Sequence, residues 1–372
     1  MKILINLARV IVGVLFIFSG LVKAIDPLGL SYKMQEFFDL WGMSAFNSQT
    51  LWMSVLMIAF EIIAGAALIL GWQMKVFSWL LLLLILFFTF LTGYAYLSGK
   101  FKNCGCFGDC IPITPYTSFL KDIVLTILIL FLFTNRKKIQ SLLPAKSGAL
   151  VITLVAVFSF GLQWYALTYL PPVDCLPFRK GNNIAEKMQI PAGAVPDSFA
   201  IRFVYEKAGK QYEFAPSELP ADLANYNYVS RTDKLIRKGN AEPPIKGFTL
   251  TGVTDSDSTQ IVLSQPYCVL LFCENFSTPF ARWKDAFSKL YIDAKAKGIP
   301  VYAVTNRFDE ALNNFAATSF SEMQVFKCDF TAIRTAARTD PAIYLLKSGT
   351  IVDKVSYKQM GRINDAVLNI SK

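Results

Sequence analysis

The sequence contains no histidine and has few charged residues for its length. Charged residues make up 17% of its 372 residues, whereas a soluble globular domain has about 25%. Without histidine, Ser-His-Asp and Cys-His nucleophile pairs, imidazole acid–base catalysis and His-ligated metal or haem are excluded. Any chemistry must therefore use Cys, Asp, Glu, Lys or Tyr.

Apolar residues, in contrast, are abundant. They make up 53% of the chain, and the mean hydropathy is +0.40. Runs of about 20 apolar residues are long enough to cross a bilayer, so we expect the lipid bilayer as a partner. Five segments are predicted to span it: 3–25, 51–72, 76–99, 117–135 and 149–170. The first lacks a small-x-small cleavage site, which favours an uncleaved helix over a signal peptide.

The distribution of basic residues predicts the orientation of these helices. Arg136, Lys137, Lys138 and Lys146 form the densest basic cluster beside any span, and such clusters favour the cytoplasmic side. We therefore expect a cytoplasmic N-terminus, with residues 100–118 and 171–372 on the opposite, periplasmic face of an inner membrane. The net charge of +10 suits anionic headgroups, and no basic motif indicates nucleic acid.

Four cysteines are candidates for redox chemistry. Cys104, Cys106 and Cys110 lie in one short loop, and Cys175 follows the fifth span. A Cys-x-Cys disulfide closes a small, strained ring that exchanges readily. Two alternatives stay open. The cysteines can form permanent disulfides, or the three thiols with Cys175 can bind zinc or an iron–sulfur cluster, although a metal is not the expected ligand.

A carboxylate near the middle of the second span is a further candidate. Glu61 is surrounded by apolar residues, and a charge there is costly unless it is paired or protonated. Arg9 on the first span is the predicted partner. The pair would relay protons or bind a small ligand such as a quinone, which is the one cofactor that the sequence indicates. The alternative is a structural ion pair.

Residues 1–138 resemble the DoxX/MauE family of four-helix membrane proteins. The resemblance depends on the glycine-rich first and second spans, with Arg9 and Glu61, and on the Cys104-Gly105-Cys106-Phe107-Gly108 loop, which is similar to the MauE branch. It implies a redox-associated membrane protein. In its best-known members the family is linked to maturation of methylamine dehydrogenase, whose subunits need many disulfides. The fifth helix, within residues 139–170, would be an addition.

The remainder of the chain is predicted to be a soluble α/β region. Residues 171–243 are interpreted as a connector with a β-hairpin at 201–214. In residues 244–372, strands at 261–264, 268–273, 300–305 and 324–328, intervening helices and a final hairpin and helix resemble a thioredoxin-like fold. Pro341 occupies the position of that fold's cis-proline. The predicted fold class is thus a membrane all-α helical bundle followed by a thioredoxin-like domain.

This domain lacks the Cys-x-x-Cys motif of the thioredoxin fold. Ser277-Thr278-Pro279-Phe280 stands where the motif is expected. Cys268 and Cys273 are five residues apart on one strand and should face opposite sides of the sheet, buried in apolar surroundings.

Two functions are therefore predicted. The first is a thiol–disulfide oxidoreductase that passes electrons between the loop cysteines, a periplasmic thiol protein and a lipid-soluble acceptor, or that helps a partner to form disulfides. The second is a non-enzymatic scaffold that presents the degenerate thioredoxin-like domain through the Ser277–Phe280 surface.

Overall fold

The N-terminal half of the chain is a helical bundle. The computed structural model describes residues 1–101, 105, 107–237, 239–253, 255–276 and 278–370. The bundle helices are α1 (Lys2–Ala24), α2 (Pro27–Leu40), α3 (Thr50–Leu70), α4 (Met74–Ser98), α5 (Pro115–Thr134) and α6 (Ala145–Tyr169).

Five of the helices in the described part of the chain are long and apolar enough to cross a membrane. They are α1, α4, α5, α6 and α3 together with the 3-10 turn before it. This matches the five predicted spans, and the chain is a multi-pass membrane protein. The sequence analysis missed α2. Asp26 caps this helix by accepting a hydrogen bond from the Gly29 N–H at 3.2 Å, and Pro27 is its first residue.

Glycines allow α1 and α3 to pack closely and antiparallel. A Cβ at Gly13 would lie 2.9 Å from the Gly65 carbonyl oxygen, and one at Gly20 would lie 2.5 Å from Ile62 Cγ1. Such small residues let helix backbones approach in a membrane. The first half of α1 therefore faces the second half of α3, and this register decides which polar side chains can meet.

The soluble half contains two sheets and six short helices among the described residues. The strands are β1 (Ser198–Lys207), β2 (Lys210–Phe214), β3 (Asn227–Arg237), β4 (Cys268–Cys273), β5 (Val301–Thr305), β6 (Gln324–Lys327), β7 (Ala342–Lys347) and β8 (Thr350–Ser356). The helices are α7 (Ile184–Lys187), α8 (Thr259–Leu263), α9 (Lys284–Ala296), α10 (Phe308–Phe315), α11 (Phe330–Ala336) and α12 (Met360–Leu368).

The larger sheet has the topology of a thioredoxin-like domain. Its strand order is β6-β5-β4-β7-β8; β4, β5 and β6 are parallel, whereas β7 runs antiparallel to β4 and to β8. Apolar cores cover both faces. One contains residues of α9 and α12, and the other contains residues of α8 and α11. The predicted fold class is confirmed in both halves of the chain.

One predicted strand is wrong. Residues 261–264 fall largely within α8, whose first N–H, at Thr259, donates to the Asp257 side chain at 2.9 Å. A short apolar run does not distinguish a strand from a buried helical turn. The other predicted strands of this domain match β4 to β8 within about two residues, as expected for element ends.

The segment between the two halves contains the smaller sheet. Its order is β2-β1-β3, and all its pairs are antiparallel, which confirms the predicted hairpin. Residues before this sheet pack on the thioredoxin-like domain instead. Phe178 and Ile184 belong to one of its cores, and the Gly181 N–H donates to the Ile351 carbonyl at 2.8 Å.

Candidate functional site

The loop that contains the cysteines joins α4 to α5. Cys104 and Cys106 lie outside the described residues. Gly105 has φ 73° and Gly108 has φ 57°, and the Gly108 N–H donates to the Gly105 carbonyl at 3.0 Å. Both glycines thus occupy the left-handed region, which costs them little. This part of the loop therefore turns tightly.

A disulfide joins this loop to the soluble half. Cys110 is bonded to Cys175, with their Cα atoms 4.9 Å apart. Cys175 is therefore not free to complete a metal site with the loop thiols, contrary to that alternative. The bond matches one of the two permanent disulfides that the structural alternative requires, and it leaves Cys104 and Cys106 as the remaining two cysteines of the loop region.

The loop rests on the end of the bundle. Phe107 packs on Phe18 of α1, with ring centroids 5.8 Å apart, and Lys121 Nζ of α5 lies 5.3 Å from the centre of the Phe107 ring. A Cβ at Gly105 would lie 3.0 Å from Lys33 Cγ of α2. Three bundle helices therefore position the loop.

A cavity of about 380 Å³ lies in the bundle beside the loop, and Gly105 is one of its lining residues. Most of the wall is aromatic or methionine, which suits a flat apolar ligand. Apart from Gly105, the wall contains Ser19, Lys23, Leu30, Lys33, Met34, Phe37, Phe38, Trp41, Met43, Phe46, Met53, Met57, Glu61, Phe87, Phe88, Leu91, Thr92 and Lys121.

Two ion pairs with buried carboxylates lie at the cavity. Lys23 at the end of α1 donates to Glu61 Oε1. Lys121 Nζ lies 2.6 Å from Asp122 Oδ1, and the Thr92 hydroxyl donates to Asp122 Oδ2 at 3.0 Å. Buried charges of this kind need a partner, and the apolar cavity therefore has a polar wall of paired cations and carboxylates.

The predicted Arg9–Glu61 pair is wrong. Arg9 Nη2 donates to the Ile69 carbonyl at 2.7 Å, and Nη1 donates to the Gln140 carbonyl at 3.2 Å. The antiparallel register explains the difference, because Glu61 is opposite Gly20. Gly20 is about 16 Å farther along α1 than Arg9, at about 1.5 Å per residue.

The soluble domain contacts the same end of the bundle. Arg338 donates from Nε to Asp26 Oδ2 and from Nη2 to Asp109 Oδ2, both at 2.9 Å. Arg338 is 4% exposed. Burial raises the pKa of Asp26, and the positive charge of Arg338 opposes that shift. One buried guanidinium thus connects the thioredoxin-like domain to the start of α2 and to the cysteine loop.

The degenerate motif is close to this contact. Ser277 lies outside the described residues. Thr278 lines a space between the domain and α2, whereas Phe280 packs on Trp283 with ring centroids 4.8 Å apart. Pro279 between them is exposed. The Asp340–Pro341 peptide bond is cis, as predicted. The side of the motif that contains Thr278 therefore faces the membrane half.

The three cysteines of the domain are buried thiols. Cys268 and Cys273 belong to different cores on opposite faces of the sheet, which confirms the prediction. Burial raises the pKa of Cys268 and of Cys328 to about 12. Burial, with a smaller effect of Asp340, raises the pKa of Cys273 well above its ordinary value. None of these thiols is suited to exchange.

The sequence analysis missed four residues of the site. Lys23 lies in the first predicted span and Lys121 and Asp122 lie in the fourth, but no role was assigned to them. Arg338 was not considered. A lysine or aspartate inside an apolar span signals a buried pair, so Lys23, Lys121 and Asp122 could have been found. Nothing near Arg338 in the sequence indicates its partners.

Comparisons with known proteins match separate parts of the chain. Residues 1–135 match the family described as methylamine utilisation protein MauE, and residues 199–238 match a domain of unknown function (DUF8463). A curated relative, "Protein TlpB" of Flavobacterium psychrophilum, is 28% identical over 128 residues. That match covers 34% of this chain and 35% of the relative, so it spans about a third of each protein.

A solved structure was also found. It is the solution structure of a thiol:disulfide interchange protein from Bacteroides sp., with 15% sequence identity and a TM-score of 0.28. The match covers 34% of this chain and 90% of that one.

Proposed function

We propose that this protein is a membrane thiol–disulfide oxidoreductase that passes electrons from an outer thiol protein to a quinone. The observation that carries the proposal is the position of Gly105. It lies between Cys104 and Cys106 in the sequence and lines the apolar cavity that contains the Lys23–Glu61 pair. The match of residues 1–135 to the MauE family, which the resemblance links to redox maturation, supports the same function.

The chemistry uses thiolates. A thiolate of the partner attacks a sulfur of the loop disulfide, a mixed disulfide forms, and the second partner thiol resolves it. Oxidation of the resulting loop dithiol releases two electrons and two protons, and the quinone takes up both to become a quinol. Cys110 and Cys175 relay electrons if their disulfide exchanges with Cys104 or Cys106.

The cavity has an opening through which a lipid-soluble acceptor would enter. The wall residues Phe46, Met53 and Phe87 are 46%, 37% and 41% exposed on the surface of the bundle. These apolar side chains would contact lipid, so a quinone can reach the cavity from the bilayer without crossing water.

Trapping of mixed disulfides tests the thiol step. A Cys106→Ser variant incubated with the disulfide form of its partner should accumulate a mixed disulfide, because the Cys104 thiolate attacks the partner disulfide and no Cys106 thiol is present to complete the exchange. The complex should vanish on reduction and in the Cys104→Ser/Cys106→Ser variant. It should persist when Cys268→Ser, the matched control, is added to Cys106→Ser.

A second assay measures the quinone step. Anaerobic reduction of decylubiquinone by dithiol-loaded proteoliposomes should fall to the uncatalysed rate when the loop cysteines are substituted. Full quinone reduction after substitution of Cys104, Cys106 and Cys110 would reject the proposal.

The proposal also requires that the loop face the periplasm. The basic residues Arg136, Lys137 and Lys138 follow α5 at the end of the bundle opposite to the loop, which supports a cytoplasmic position for them. Trypsin added to intact spheroplasts should therefore remove the soluble domain, whereas a reporter fused at 139 should stay protected until the membrane is lysed. A protected soluble domain would contradict the orientation and with it the redox function.

The second candidate function is the scaffold, which the Cys110–Cys175 disulfide favours. A permanent bond at this place would hold the soluble domain on the bundle. Thiol labelling separates the two functions, because loop cysteines that resist mild reduction indicate a scaffold and labile ones indicate exchange.

A further inference from the structure

A buried carboxylate oxygen at the cavity lacks a hydrogen-bond partner. Lys23 donates to Glu61 Oε1, but Oε2 accepts no hydrogen bond from the residues that the structure describes. Glu61 is 2% exposed and lines the cavity. A buried acceptor that stays unsatisfied is destabilising. The position of Oε2 therefore suits a ligand that donates a hydrogen bond.

The neighbouring carboxylate provides the contrast. Asp122 is equally buried, yet its two oxygens are both bound, one by Lys121 and the other by Thr92. The unsatisfied oxygen of Glu61 is thus not a general feature of carboxylates in this bundle. It marks a specific position on the cavity wall at which a carboxylate oxygen lacks a donor among the described residues.

The donor must be part of a mainly apolar molecule, because most of the wall is aromatic, aliphatic or methionine. A quinone ring bears carbonyl oxygens, which only accept hydrogen bonds. The corresponding quinol has hydroxyl groups, which donate. The two redox forms have nearly the same shape, so Oε2 can discriminate between them through this one hydrogen bond.

We propose that Glu61 Oε2 accepts a hydrogen bond from a quinol hydroxyl, so that the cavity binds the reduced form more tightly than the oxidised form. The inference rests on the proposed function and deepens it. Two loop thiols become a disulfide and release two electrons and two protons, which convert the quinone to the quinol. Tighter binding of the product favours electron flow from thiol to quinone. Glu61 is a binding residue in this step, and Lys23 positions it.

The test measures binding without electron transfer. The full-length chain with Cys104→Ser and Cys106→Ser is placed in lipid nanodiscs. Decylubiquinol or decylubiquinone is then titrated into it anaerobically in a calorimeter, and the heat measured with empty nanodiscs is subtracted. We expect the quinol to bind about tenfold more tightly than the quinone. This ratio of dissociation constants corresponds to the free energy of one hydrogen bond to a charged group.

Glu61→Gln should abolish or reverse this preference. A glutamine whose oxygen stays with Lys23 presents its NH₂ group to the cavity, which suits the quinone carbonyl. Met57→Leu is the matched control, since it changes the apolar wall of the same cavity. It should alter both affinities equally and leave the ratio unchanged.

A second variant tests the same hydrogen bond without leaving an unpaired buried charge. Glu61→Gln leaves the Lys23 charge buried without a counterion, which is destabilising. Lys23→Met/Glu61→Gln removes both charges and should also lose the quinol preference. An unchanged preference in these variants, or no binding of either ligand by the parent chain, would overturn the inference. If the preference follows Glu61 but wild-type protein reduces no quinone, the proposed function fails and the quinol site stands.

Discussion

At the scale of single residues, burial limits the reactivity of the three cysteines in the thioredoxin-like domain. Cys268, Cys273 and Cys328 are buried between the sheet and its helices. Their pKa values are raised because a thiolate is poorly solvated there. Cysteine reactivity follows the thiolate fraction. These three cysteines of the thioredoxin-like domain are therefore unsuited to thiol exchange, so the redox function that we propose would depend on the loop cysteines.

This difference predicts the pH dependence of labelling. At pH 8, a thiol with a pKa of about 12, such as Cys268 or Cys328, is ionised to about one part in 10,000. Its ionised fraction grows only as the pH rises toward that value. Iodoacetamide should leave these thiols unmodified in the native protein at pH 8 and modify them after unfolding, as mass spectrometry of the peptides would show. Rapid labelling of native Cys268 at pH 8 would contradict the burial.

At the scale of elements, the contact between α1 and α3 determines the register of the bundle. A Cβ at Gly65 would lie 2.8 Å from the Gly13 carbonyl oxygen and 2.9 Å from Ile17 Cγ1. Backbone atoms cannot move away without displacing a whole helix. The same register brings Lys23 to Glu61, so the cavity depends on this contact.

Substitution of Gly65 should therefore weaken the bundle. Gly65→Ala is expected to destabilise it by about 1–3 kcal/mol, because the added methyl group overpacks the interface. The melting temperature in detergent, measured by intrinsic fluorescence, should fall by several degrees.

Gly161 provides the matched control for this change. It lies in α6, where an added Cβ would meet no atom within 4 Å. Gly161→Ala should leave the melting temperature unchanged or raise it slightly, since alanine favours helix by about 1 kcal/mol. Equal melting temperatures for the two variants would show that the close approach at Gly65 is unimportant.

The elements themselves were largely predictable. The spans follow from apolar runs, which depend on local composition, and their observed ends differ from the predicted ends by a few residues. The missed helix α2 has its own start signal in Asp26 and Pro27. The wrong strand at 261–264 was too short for its period to distinguish helix from strand.

At the scale of the whole molecule, Arg338 connects three parts of the chain. It comes from the thioredoxin-like domain and binds both Asp26 at the start of α2 and Asp109 beside Cys110. A second link joins Glu274 of the domain to Tyr32 of α2, whose hydroxyl donates at 2.8 Å. The soluble domain therefore supports the loop and the helix that borders the cavity.

Loss of this link should loosen the loop. Arg338→Gln leaves Asp26 and Asp109 without their shared cation, so amide hydrogen exchange should accelerate in residues 107–114 and at the start of α2. Arg362→Gln is the control, because Arg362 is exposed and pairs only with groups of the soluble domain, Asp353 and the Lys354 carbonyl. It should leave exchange in the loop unchanged. Equal exchange in both variants would show that Arg338 does not hold the loop.

The sequence by itself determined that the chain spans a membrane, that histidine chemistry is excluded and that three of the seven cysteines are concentrated in one loop. These properties depend on composition and on short-range order along the chain. Only the tertiary structure decided that Glu61 pairs with Lys23 and not Arg9, that Cys110 bonds Cys175, and that Arg338 reaches Asp26 and Asp109. The physical reason is that such partners are chosen by the depth, rotation and register of packed helices, and these arise from contacts between residues far apart in the chain.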